Sequence, residues 1–167
     1  MPVTKTFSEE TMVAPRGRSS LVNSISYREA GDASIKAILL FGSKARGEDE
    51  ERSDADILVL HDGCGIEDPV ARRRHFYGVV RAMLRGSVEE VTVTDMELMQ
   101  FLKPERVTAL LLNIYWDASV VMDRTGTLPE FLKIIRENIA KSGLERIRDG
   151  KAYRWILPEP MKEVKLL

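Results

Sequence analysis

Apolar residues in this chain alternate between short unbroken runs and stretches with helical spacing. Ile35 to Phe41 is interrupted only by Lys36, and Ile57 to Leu60 follows two aspartates. Both runs read as strands covered on two faces, since a half-exposed strand would alternate apolar with polar. From Asp68 to Leu84, Val70, Phe76, Tyr77, Val79, Val80, Met83 and Leu84 recur every three or four residues, behind Asp68 as cap and Pro69 in the first turn, and Gly86 stops the pattern. Val88 to Thr94 is rich in β-branched residues and predicts a third strand. Thr94-Asp95-Met96-Glu97 has the form of a capping box ahead of Leu98 to Leu102, and Pro104 opens a further helix to about Trp116.

Ser119 to Met122 predicts a fourth strand, closed by a turn from Asp123 to Gly126. Leu128 to Ser142 is amphipathic, with Leu132, Ile135 and Ile139 on one side and Gly143 at its end. Asp149-Gly150 between two alternating runs signals a hairpin. Upstream, Ser19 to Ala30 predicts a short helix, preceded by an arm of mixed charge. The expected organisation is an arm over residues 1–18, a core domain over 19–126, and a C-terminal helix and hairpin over 127–167 packed on that core. The expected fold is α/β (α+β), a small mixed sheet with helices mainly on one face.

Composition narrows the function classes. With 167 residues, 44% of them hydrophobic, the chain suits one ordinary domain. Its 25 basic and 26 acidic side chains nearly cancel, so no global field draws it to nucleic acid or an anionic membrane. A single cysteine, Cys64, rules out a disulfide framework or a Cys-based zinc site and fits a cytoplasmic protein. No run approaches the roughly 18 apolar residues of a membrane span, and the first residues lack the apolar centre of a secretory signal.

Candidate chemistry concentrates in residues 42–56, GSKARGEDEERSDAD. Residues i and i+2 of a strand share a face. Asp54 and Asp56 therefore point at one spot while Ala55, Ile57 and Val59 point into the body of the protein. Two adjacent carboxylates repel unless a cation lies between them, and a hard cation such as Mg²⁺ is the usual occupant, bringing nucleotide phosphates with it. Gly42 lets a phosphate approach the main chain, Ser43 adds a hydroxyl, and N–H groups at the start of a helical turn here would meet the anion. Lys44 and Arg46 add charge to the same phosphates or else balance the acidic run from Glu48 to Glu51. A third carboxylate is available at Glu89 or Glu90. Glu89 shares its face with Val91 and Val93, repeating the acid-then-apolar pattern of Asp54 and Asp56, and is the favoured choice.

Gly42-Ser43, then Ala45-Arg46-Gly47, then Ser53-Asp54-Ala55-Asp56 leading into an apolar strand, resembles the nucleotidyltransferase superfamily of DNA polymerase β, most closely its minimal prokaryotic and archaeal members. The resemblance covers residues 20 to 100 firmly and the remainder more softly. It implies that Gly42 and Ser43, with Lys44, Arg46 and Ser53, hold an NTP. It further implies that Asp54, Asp56 and Glu89 hold two Mg²⁺ ions, or Mn²⁺ in their place, and that an NMP passes to a hydroxyl acceptor with release of pyrophosphate. Glu89 departs from the aspartate that many members carry.

The implied partners are the NTP and an acceptor that is a protein, a small molecule or RNA, with a homodimer allowed and no membrane. The competing reading is a catalytically weak nucleotide-binding regulator or antitoxin acting beside a helical toxin-type partner. A tRNA-end or poly(A) adder shares the core, and the neutral charge argues against it. Arg72-Arg73-Arg74 spreads around a helix and reads as a solvated face paired with Asp68 or Glu67. His61 and His75 lack metal-ligand spacing and read as structural or surface residues. Phe76, Tyr77, Tyr115 and Trp116 read as core, and Tyr153 and Trp155 as packing residues of the hairpin.

Overall fold

The computed structural model describes residues 31–48, 53–84, 90–158 and 164–167. The expected arm, the Ser19 to Ala30 helix and the start of the third strand, including Glu89, lie outside them. β1 (Ile35–Phe41) and β2 (Ala55–His61) pair antiparallel at the centre of a four-stranded sheet ordered β3-β2-β1-β4. β3 (Val91–Glu97) runs parallel to β2, and β4 (Ser119–Asp123) runs antiparallel to β1. A parallel pair needs a crossover, and α2 (Pro69–Leu84) supplies it. Its start is as expected: the Asp68 carboxylate accepts the Ala71 N–H at 2.7 Å.

Both faces of the central strands are buried, as their unbroken apolar runs require. Ala55, Ile57 and Val59 pack beneath Phe76, Val80 and Leu84 of α2. On the opposite face Ala37, Leu39, Leu58 and Leu60 meet α3 (Leu98–Leu102), α4 (Ala109–Asp117) and α5 (Leu128–Lys141). Among the described residues, α3, α4 and α5 thus share one face and α2 covers the other. No described helix is long and apolar enough to cross a membrane.

Two boundaries differ from the sequence expectation for identifiable reasons. Residues 94–97 are strand, not a capping box, and Glu97 makes no side-chain cap at α3. Asp95 is buried instead against α2, where Arg72 Nε donates to it at 2.6 Å, so Arg72 pairs across the fold and not with Asp68 or the Glu67 carboxylate. α4 starts at Ala109 and not at Pro104, because the Thr108 hydroxyl accepts the Leu111 N–H at 3.1 Å and fixes the entry there. Tyr77, expected in the core, is exposed, while Phe76 and Tyr115 are fully buried.

Past α5, β5 (Glu145–Asp149) and β6 (Ala152–Ile156) form the expected hairpin. Asp149 pairs with Ala152, so the loop is Gly150-Lys151, one residue later than Asp149-Gly150 suggests. Gly150 occupies it with φ 64°, a conformation that glycine adopts without a Cβ penalty.

Candidate active site

Register brings the two ends of the 42–56 segment together. Phe41, the last residue of β1, pairs with Asp56, the second residue of β2, so Gly42 leaves the sheet directly under the Asp56 side chain. α1 (Gly42–Arg46) begins there as a single helical turn. Gly42 has φ 73°, and a Cβ on it would overlap Oδ2 of Asp56. Asp56 is half-buried, whereas Asp54 is exposed at the mouth of the strand. Burial, joined by repulsion from Asp54, pushes the Asp56 carboxyl above its ordinary range, and the charge of Arg46 only partly offsets this.

A cavity of about 310 Å³ opens beside Asp56, and Asp54 is not part of its lining. Gly42, Ser43, Ser53 and Asp56 line one side, and Arg46, Asn113 and Asp117 line the wall. Lys44 sits half-buried on the same turn and is not part of the lining. Arg46 is engaged in the wall: Nε meets Glu48 at 2.8 Å and an Nη meets Asp117 at 2.9 Å. Burial works against its charge, and these two acids more than restore it.

The β2–β3 register bears on the candidates for a third carboxylate. Val91 stands beside Ala55 and Thr92 beside Asp56, and the Ala55 N–H donates to the Glu90 carbonyl at 3.0 Å. Continued by one pair, this register sets Glu90 next to Asp54, on the face that Asp56 occupies. Glu89 lies outside the described residues. Among the described residues no three metal-ligating side chains converge.

A nucleotidyltransferase domain model matches residues 26–148 of the chain, more than half its length. The chain belongs to the nucleotidyltransferase domain family. Among solved structures, it is similar to a toxin–antitoxin complex with AMP-PNP, at 19% identity over 73% of this chain and 86% of that one, with a TM-score of 0.41. Two toxin–antitoxin MntA–HpeT complexes carrying substitutions align at 18% and 19% identity, over 65% and 66% of this chain and 81% of theirs, each with a TM-score of 0.40. No curated protein matches the chain.

In this nucleotidyltransferase the residues least visible from sequence are those that dock the hairpin. Asp117, 8% exposed, receives Arg146 through two bonds of 2.8 and 2.6 Å as well as Arg46. Tyr153 donates its hydroxyl to Glu48 at 2.8 Å and lies under Arg146, 4.0 Å from the ring centre. Asn113 donates to the Tyr153 carbonyl and accepts from the Trp155 indole at 3.0 and 2.9 Å. The available signal was the i, i+2 spacing of Arg146 with Arg148 and of Tyr153 with Trp155, which places basic and aromatic residues on one hairpin face.

The histidines stand apart from this cavity. His61 is buried at the far end of β2, its ring nitrogens 3.4 Å from Asp95 and 3.5 Å from Glu97, and His75 meets Asp32 at 2.7 Å.

Proposed function

We propose that this nucleotidyltransferase moves the NMP group of an NTP to an acceptor hydroxyl, with pyrophosphate leaving, in a Mg²⁺-dependent reaction. The observation that carries this reading is the half-buried Asp56, held over Gly42 at the cavity with its carboxyl pushed up by burial and by Asp54. Such a pair is under-compensated by the protein's own cations, and its hard oxygen donors suit Mg²⁺, or Mn²⁺ in its place.

Asp54 and Asp56 would hold the metal, with Glu90 favoured over Glu89 as the third acid by the parallel register. Phosphate oxygens of the nucleotide would complete the shell. The chemistry that a divalent cation would supply there is a lowered pKa for the attacking hydroxyl and charge neutralisation of the leaving phosphates. The chain's own residues do the positioning. Gly42 admits the phosphates to the main chain, Ser43 and Ser53 offer hydroxyl donors, and Arg46, held by Glu48 and Asp117, lines the wall, with Lys44 on the same turn. The acceptor is a protein, an RNA or a small molecule of the cytoplasm.

Incubation with each α-labelled NTP, Mg²⁺ and cell extract tests the reading. Label should enter a product with the wild-type chain and not with Asp56→Asn. Binding of NTP without any product would favour a regulatory role beside a helical partner, and equal labelling by the Asp56→Asn chain would overturn the assignment.

A further inference from the structure

The hairpin contributes Arg148, Lys151, Ala152 and Tyr153 to the lining of the cavity that Gly42 and Ser43 also line, and β6 lies beyond the residues that the family model matches. Its register pairs Arg146 with Trp155 and Arg148 with Tyr153, so these four side chains share one face. Three of them dock the hairpin: Arg146 on Asp117, Trp155 on Asn113, and Tyr153 on Glu48. The fourth, Arg148, stands at the turn end of the same face and lines the cavity together with Lys151 of the loop. Arg148 Nε donates to the Gly150 carbonyl at 3.2 Å, which holds the guanidinium at the tip. Of the lining acids other than Asp56, Asp117 is matched by Arg46 and Arg146, and Glu48 by Arg46 and Tyr153, with Arg148 adding a weaker through-space pull on Glu48.

We propose that the hairpin tip is part of the nucleotide site: Arg148, with Lys151 beside it, contacts the phosphate chain of the NTP in the cavity that Gly42 and Ser43 also line. The proposal rests on the reading of this cavity as the NTP site. A cation fixed by a docked hairpin meets phosphates without first being ordered, and a guanidinium fork matches phosphate oxygens in pairs. Because the tip faces the polyphosphate and not the base or sugar, its contribution scales with the number of phosphates.

The test is calorimetric titration of the full chain with each NTP, the matching NMP and the nucleoside, in Mg²⁺. The proteins are wild type, Arg148→Lys, and the double variant Arg148→Ala/Lys151→Ala. The double variant should bind its NTP about tenfold more weakly, as expected for one or two lost charge-assisted bonds. Its NMP and nucleoside binding should change far less, its thermal midpoint should hold, and Arg148→Lys should keep part of the affinity. If wild type binds an NTP and the double variant binds it equally, the hairpin assignment falls while the cavity reading stands. A loss of equal size for NTP and nucleoside, or one accompanied by a lower midpoint, also overturns it. If wild type binds no NTP, both readings fall together.

Discussion

The carboxylate of Asp56 occupies the space that a side chain on Gly42 would need: a Cβ there would overlap Oδ2 and come within 3.2 Å of Cγ. The glycine at the start of α1 and the second aspartate of the pair are therefore one structural unit. Gly42→Ala adds strain at φ 73° to this overlap. It should cost about 1–3 kcal/mol of stability and, by displacing Asp56, most of the transfer activity. Chemical unfolding and label transfer measured on the same preparation check both halves. Loss of stability with full activity would separate the two residues again.

Asp56→Asn should move stability and activity in opposite directions. The folded protein holds this carboxyl above its unfolded value, so between the two values the folded state binds more protons and stability falls as pH rises through that window. Above the raised value the full penalty for ionised Asp56 remains. Removing the charge should therefore raise the thermal midpoint of the metal-free protein at neutral pH while abolishing metal-dependent transfer. At a pH below the ordinary carboxylate range, wild type and variant should converge. Added Mg²⁺ should stabilise wild type and leave the variant's midpoint much less changed.

Asp117 joins the site's helical turn to the hairpin, since Arg46 and Arg146 both end on it. Asp117→Ala would take the two-bond partner from the largely buried Arg146 and leave Arg46 with Glu48 alone, and breaking such a buried pair typically costs about 3–5 kcal/mol. The expected result is a large drop in unfolding free energy, together with faster proteolysis between α5 and β5 as the hairpin loosens. Limited proteolysis with mass mapping of the cut sites reads the second effect. A stability loss without new cleavage there would show that Asp117 does not anchor the hairpin.

Sequence carried the sheet and the carboxylate pair further than it carried their surroundings. β1 is bounded at Ile35 and Phe41 as its apolar run indicates, because a strand covered on both faces writes its burial directly into composition. β3 is harder. Thr94-Asp95-Met96-Glu97 satisfies the local rule for a helix start, and only long-range contacts, the pairing of these residues with β2 and the bond from Arg72 to Asp95, show why the chain stays extended. The same limit applies to the third acid. Face alternation along one strand cannot choose between Glu89 and Glu90, since it depends on how β3 is set against β2, and the observed pairing of Ala55 with Val91 aligns Glu90 with Asp54. Arg46 reads in sequence as either a phosphate ligand or a partner for nearby acids. It is bound to Glu48 and, through the fold, to an aspartate 71 residues away.

The Glu48–Tyr153 contact should make hairpin docking sensitive to acid. A hydrogen bond from Arg46 is the main cause holding the Glu48 carboxyl below its ordinary range, burial opposes it, and the Tyr153 hydroxyl adds a second bond. A depressed carboxylate stabilises the fold fully above its unfolded value and progressively less as pH falls through its folded value. Docking should accordingly weaken at acid pH and stay constant from neutral to mildly basic conditions. Trp155 packs edge-on against Trp116 at 5.8 Å beside the same contact, so indole emission reports the change. Tyr153→Phe should cost about 1 kcal/mol near neutral pH and flatten the acid limb of the emission profile. If the limb persists unchanged in Tyr153→Phe and also in Glu48→Gln, the acid sensitivity belongs to another carboxylate and this contact is not its source.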